Sequence, residues 1–224
     1  MNTYDLLRQI ARLGMSLGLA LLVWGYYRER SFALAERYST FGPRFWTGSV
    51  DACVLWPVRL IATGLLCLNI PRSLAGLLII VQSLVWLLYT VVMHARYGQT
   101  VGKMVTKVRV VDFGTEGRIS WRQAWLREAI AIVLSLGLLG LEVPLVLTSG
   151  LNPRAFGNRG TLPASRGFWL LMALPGLWFL AEVLTMLTNE KRRALHDFMA
   201  GTVVVRTNIE GCAQPNASAN LEIS

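Results

Sequence analysis

Four stretches of the chain, at about residues 45–68, 74–93, 129–148 and 168–188, approach the length a helix needs to cross a bilayer. That length is roughly 20 apolar residues. Hydrocarbon leaves no water for backbone N–H and C=O groups, so such stretches are restricted to helices that satisfy their own hydrogen bonds. The second stretch is the cleanest, interrupted only by Gln82, Ser83 and Thr90. The first carries Asp51 and Arg59, the third Glu142 and Pro144, and the fourth Pro175 and Glu182. Neighbouring helices can satisfy the carbonyl that a proline frees, so the prolines do not exclude a span. Composition agrees: 16% of residues are charged and 54% hydrophobic, against about 25% charged in a soluble domain. The expected fold is an all-α polytopic membrane protein, a four-helix transmembrane bundle within one 224-residue unit.

The charges give the orientation. The net charge of +9 could suggest nucleic acid, but the basic residues flank apolar stretches and form no polar domain of their own. They read as membrane-loop charges, and no nucleic-acid partner is expected. The loop after the second stretch holds Arg96, Lys103, Lys107, Arg109, Arg118, Arg122 and Arg127 against Asp112 and Glu116. Lys191, Arg192 and Arg193 follow the fourth stretch. Arg72, Arg154, Arg159 and Arg166 lie in the other connections and weaken this asymmetry without reversing it. The positive-inside rule then places the loop and both termini in the cytoplasm, for a multi-pass protein of the cell (inner) membrane.

Residues 1–40 form an N-terminal extension and 207–224 a polar tail expected to be flexible. A fifth apolar run, residues 13–27, is short and bracketed by Arg8 and Arg12 before it and Arg28, Glu29 and Arg30 after. Leu6, Leu7, Ile10, Leu13 and Leu17 recur at helical spacing, which suits a helix lying in the interface or a re-entrant segment. A full span, supported by the small pair Gly14 and Gly18, and a cleaved signal remain as alternatives.

The basic loop carries structure of its own. Residues 105–111 are β-branched at most positions and end at Asp112-Phe113-Gly114, which predicts a strand and a turn. Val203, Val204 and Val205 form a second short β-run able to pair with it as a small cytoplasmic β-hairpin-like element. Ser120 and Gln123 have capping-box spacing ahead of Trp121, Trp125 and Leu126, aromatic-rich material suited to a membrane interface.

Signatures of soluble enzymes are missing. Residues 98–103 fall one residue short of a phosphate-cradling loop, and Met104 stands where a magnesium-binding hydroxyl is required. His94 and His196 have no metal partner at helical spacing, and the three cysteines have no ligand spacing. No nucleophile–base pair is visible, so the chain is not expected to be an enzyme, and no cofactor or metal is implied.

Intramembrane charges are the informative residues. A charge near the bilayer centre costs about 2.5–3.5 kcal/mol on insertion scales, so it faces a partner or a water-filled path. Arg44, Asp51 and Arg59 recur about every two helical turns and draw a polar stripe along the first helix. Glu142 and Glu182 are candidate partners from other helices. Two readings fit the stripe: an ion or substrate path, or an interhelical clamp that fixes bundle register.

Residues 43–51, Pro-Arg-Phe-Trp-Thr-Gly-Ser-Val-Asp, resemble the opening motif of the RDD family of membrane proteins. Arg44 and Asp51 match that family's arginine and first aspartate. Thr100, Gly102 and Lys103, followed by residues 108–112 ending in Asp112, resemble its Thr-x-Gly-Lys segment and strand. Arg127-Glu128 matches its basic–acidic pair, and Arg193, His196 and Asp197, with residues 200–205, resemble its closing motif. Asp197 then corresponds to the second aspartate. The resemblance covers about residues 41–206, with Gly48 standing where many members have alanine. It implies a membrane bundle and transport of a small solute or ion, with sodium/proton exchange as one form. Asp51 would then be the protonatable or cation-binding group, with Arg44 and Arg59 tuning it. Asp197 and His196 would lie at the cytoplasmic mouth. One bundle of four spans is small for alternating access, so the lipid bilayer, a small ion or solute and a second copy of the chain are the expected partners. A membrane scaffold, with the stripe as a clamp, is the alternative.

Overall fold

The computed structural model describes residues 3–67, 70–148 and 166–210. Eight helices and two strands follow in order within these residues. α1 (Thr3–Arg28) is one unbroken helix of 26 residues, about 39 Å long, and extends well beyond the apolar run expected at 13–27. It packs on α2 (Phe41–Val54) through Val23 and Tyr27 against Val50, with Phe32 of the following loop in the same cluster. A short 3₁₀ turn at Leu34–Glu36 connects the two.

The first expected span is two helices. α2 ends at Val54 with Leu55 as its C-cap, and α3 runs from Trp56 to Cys67. The reason is Pro57, which lacks the N–H that would bond the Cys53 carbonyl and whose ring crowds it. The uniform stripe expected from Arg44 to Arg59 is therefore interrupted between Asp51 and Arg59.

α4 (Arg72–Tyr97) contains the second expected span. It begins after Pro71 and closes at Gly98, which adopts φ +67°. A Cβ at Gly98 would lie 2.7 Å from the Val110 carbonyl, and that left-handed conformation also favours glycine. α6 (Trp121–Thr148) contains the third expected span, and α7 (Arg166–Thr188) the fourth. The capping box expected at Ser120 opens α6: the Ser120 N–H donates to Gln123 Oε1 at 2.8 Å, and the Gln123 N–H donates to Ser120 Oγ at 3.2 Å. Among the described residues, two helical segments are long and apolar enough to cross a membrane, Arg72–Tyr97 and Trp121–Gly140; Ala173–Thr188 is a shorter apolar helix.

The strand expected from residue 105 starts later. Val101–Val105 is a one-turn helix, α5, capped by Thr100, and Lys107 turns the chain at φ 54° before β1 (Val108–Asp112). β2 (Thr202–Arg206) pairs with β1 antiparallel, with Val110 opposite Val204 and Val108 opposite Arg206. The period of two sends Val108, Val110 and Val204 to one face, against Val91, Ile119 and Ala124. Val111, Val203 and Val205 go to the other, against Tyr38. Both faces are covered, which explains the continuous valine run of β2. Asp112 closes the turn by accepting from the N–H groups of Gly114 and Thr115 and from Gln123 Nε2. The last residues of the tail lie outside the described residues.

α5 lies directly on α2. The hydroxyls of Thr47 and Thr106 are 3.1 Å apart, and a Cβ on Gly102 would collide with the Thr47 carbonyl oxygen and lie 3.0 Å from the Asp51 carboxyl. Gly48, on the same helix, has open space around its missing Cβ. Gly102→Ala should therefore cost about 1–3 kcal/mol by overpacking. Gly48→Ala should be neutral or stabilise by up to about 1 kcal/mol through helix propensity. Melting of both variants in detergent checks this, and equal melting temperatures would contradict the close approach.

Candidate functional site

Two buried carboxylates organise the end of the helices that carries the β1–β2 element. Asp51 on α2 is 4% exposed. It accepts from the Tyr89 hydroxyl of α4 at 2.7 Å, the Thr100 hydroxyl at 2.6 Å and the Gly102 N–H at 2.7 Å. Tyr89 in turn accepts from the Val101 N–H at 3.0 Å. Three of roughly four acceptor positions on the carboxylate are thus filled. This gives the Thr-x-Gly-Lys segment a physical meaning: the threonine caps α5 and binds Asp51, and the glycine lets backbone reach the carboxylate. The lysine that follows turns towards a cavity.

Asp197, on the short helix α8 (Leu195–Ala200), is fully buried. Its Oδ2 accepts from Arg44 Nη1 at 2.6 Å and from the Ala194 N–H at 3.0 Å. Its Oδ1 accepts from Arg127 Nη1 and from the Thr202 hydroxyl, the latter at 3.1 Å. All four acceptor positions are filled, and two guanidiniums share one carboxylate. Burial alone would raise this carboxyl. Arg127, Arg44, His196 and the Ala194 N–H outweigh it and hold Asp197 well below the ordinary carboxylate range. Arg193 frames the same turn, donating from Nε to the Thr202 carbonyl and from Nη2 to the Asp197 carbonyl, both at 3.0 Å. Its guanidinium stacks on Phe113 and Phe198.

Ionisable groups surround the adjoining space. Lys103 Nζ lies 2.7 Å from His94 Nε2, and His94 Nδ1 lies 3.3 Å from Glu128 Oε1. An ammonium can only donate, so a charged Lys103 requires Nε2 as acceptor and leaves the ring proton on Nδ1, facing Glu128. Burial, reinforced by Arg127 and opposed by Asp51 and Glu128, pushes Lys103 down to about 8. His196 Nδ1 contacts Glu182 Oε1 on α7, and its Nε2 lies 3.6 Å from Asp197 Oδ1. Two cavities, of about 160 and 220 Å³, share Lys103, Arg127, Glu182 and His196 in their walls. Arg44 lines the first, His94 and Glu128 the second.

The structure thus rearranges the stripe. Arg44 and Asp51 share a helix but not a partner: Arg44 reaches Asp197, and Asp51 reaches α4 and α5. Arg59, beyond the Leu55 junction on α3, lines neither cavity. Glu182 does meet the cluster, through His196. The side chain of Glu142 lies outside the described residues. Thr100, Gly102, Lys103, Arg127, Arg193, His196 and Asp197 converge on this one region, while Asp112 serves the β1 turn. Sequence reasoning missed Tyr89, considered His94 only as a metal ligand, and named Glu128 only as the partner of Arg127 in the family motif. Their signal was polar groups at the end of an apolar run, with Tyr89 and His94 on one helix and Glu128 beside Arg127.

These contacts predict distinct stability effects. Asp197→Asn leaves two buried guanidiniums without their anion and should cost about 3–5 kcal/mol. The Asp197 contribution is present above the unfolded carboxyl value of 3.8 and is lost as pH falls below it. Lys103 gives the same sign of slope in a higher window, because burial of its ammonium is relieved by loss of the proton. Between about 8 and its ordinary 10.5 the unfolded chain binds the extra proton, so stability should rise with pH across that window. Melting scans in detergent against Lys103→Met check the sign; a rise identical in the variant would remove Lys103 as its source.

The model of the RDD family matches residues 38–201. An uncharacterized membrane protein, YteJ, of Bacillus subtilis (strain 168) is 27% identical over 104 residues. That match covers 43% of this chain and 63% of the relative, so it spans less than two thirds of that protein's length. No solved structure matches. The family model spans most of the chain, including both buried aspartates, Arg44 and the segment that carries Lys103, and on that match the chain belongs to the RDD family.

Proposed function

We propose that this RDD-family membrane protein moves a small solute or ion, and that the working site is the ionisable cavity rather than Asp51. The observation that carries this reading is the convergence of Arg44, Lys103, Arg127, Glu182 and His196, from the five helices α2, α5, α6, α7 and α8, on one cavity. Buried charges in a membrane protein gather where something polar passes. Asp51 has one acceptor position left and lines neither cavity, so its role is to fasten α5 and α4 to α2. Proton exchange falls instead to His196. Its Nδ1 contacts Glu182 on α7 and its Nε2 lies 3.6 Å from Asp197 Oδ1 on α8, so the ring stands between two carboxylates at the cavity wall.

The proposed topology has four crossings: α2 with α3, α4, α6 and α7. The β1–β2 element and both termini lie in the cytoplasm, in keeping with the basic residues around it. A second reading, a membrane scaffold, draws support from the saturation of Asp51 and Asp197, since filled carboxylates act well as clamps.

Flux separates the readings. Proteoliposomes holding a pH-sensitive dye are offered sodium, potassium or phosphate gradients. The transport reading expects coupled proton movement that persists in folded Asp51→Asn and disappears in His196→Ala. Folded wild type that moves none of these would leave the scaffold. For the topology, cysteines introduced at Ala155 and Ser218 in a cysteine-free chain should react with an impermeant thiol reagent from opposite sides. Labelling from the same side would exclude four crossings.

A further inference from the structure

One edge of a buried guanidinium is unused. Arg44 spends Nη1 on Asp197, with Met186 Sδ at 3.5 Å, and its side chain is 9% exposed. Its Nε and Nη2 are buried and have no hydrogen-bond partner among the described residues. These two N–H groups lie side by side on one edge of the planar group, the fork that matches the two oxygens of a carboxylate or phosphate. Leaving such donors unpaired in a buried site costs free energy, which a bound anion would recover.

The surroundings fit an anion at that edge. Arg44 and Arg127 share the single carboxylate of Asp197, so the triad carries one excess positive charge. Lys103 lines the same cavity and is hydrogen-bonded to an imidazole, not to a carboxylate. Glu182, the acid that also lines it, is engaged by His196. Apart from Thr47, the remaining wall is apolar. The exposed lining residues are all phenylalanines, Phe41, Phe45 and Phe179 at 37, 58 and 51%. The cavity of about 160 Å³ holds a headgroup rather than a drug-sized molecule, which needs roughly 300 Å³ or more. An apolar body attached to that headgroup would leave past the phenylalanines, which stand exposed on α2 and α7, two of the proposed crossings.

We infer that the Arg44 edge, with Lys103 and Arg127, is a binding site for an oxyanion, carboxylate or phosphate, the group carrying an apolar body that emerges between Phe45 and Phe179. This rests on the reading of the cavity as a binding chamber. It names the chemistry of the occupant without depending on transport.

The test is ligand-dependent melting of the full-length protein in a nonionic detergent, with decanoate, decyl phosphate, inorganic phosphate and neutral decanol as probes. Decanoate or decyl phosphate should raise the melting temperature saturably, and decanol should not. Saturable stabilisation by inorganic phosphate at equal concentration would place the source in solution rather than in the bilayer and still support the oxyanion site. Arg44→Lys keeps the charge but removes the fork, and should weaken binding about tenfold or more. Val183→Phe fills the cavity without touching an ion pair and should abolish binding; it decides the matter alone if Arg44→Lys does not fold. The inference is overturned if no anion stabilises folded wild type saturably. Undiminished binding in Val183→Phe, or in both variants where both fold, overturns it as well. Anion binding without flux in proteoliposomes would overturn transport and keep this site; flux without anion binding would do the reverse.

Discussion

The buried carboxylate of Asp197 imposes the strictest requirement on this fold. A carboxylate removed from water loses a large solvation free energy, and only a full set of well-placed donors offsets it. The donors come from distant parts of the chain: Arg44 on α2, Arg127 on α6, Thr202 at the start of β2 and the Ala194 N–H ahead of α8. Meeting that requirement fixes α2 and α6 relative to each other. It also ties the small sheet to them, because Thr202 both binds Asp197 and pairs with Asp112 across the strands.

Asp51 solves the same problem with neutral donors. Two hydroxyls and one N–H satisfy it without a cation, which needs backbone at close range and explains why Gly102 stands where any side chain would collide. Together the two aspartates hold α2, α4, α5, α6 and α8 around the cavities. The residues that remain on the cavity walls are those whose hydrogen bonding is incomplete or pairwise: Arg44 through its free edge, Lys103 through His94, and Glu182 through His196. Function is sought in that contrast between saturated and unsaturated charge.

The membrane character and the motif order were legible from composition and spacing, and the Val203–Val205 run announced a strand partner for β1. The first helix was legible only in part. Apolar length suggested one continuous span at 45–68, but the missing N–H of Pro57 divides it at Leu55. The strand start was misplaced for a local reason as well: Thr100 offers its side chain as an N-cap, so residues 101–105 coil before the chain extends.

By itself the sequence determined which segments avoid water, which end of the bundle is basic, and that Arg44, Asp51, Lys103, Arg127 and Asp197 belong to one constellation. Hydropathy, charge and motif spacing are properties of short windows, and short windows suffice for these. Only the tertiary structure decided the pairing. Arg44 and Asp51 lie on one helix two turns apart, yet each bonds to a different part of the chain, because a buried charge takes the donor or acceptor that folding brings within 3 Å rather than the nearest one in sequence. The polar stripe read along the first helix is, in three dimensions, two separate anchors with a cavity beside one of them.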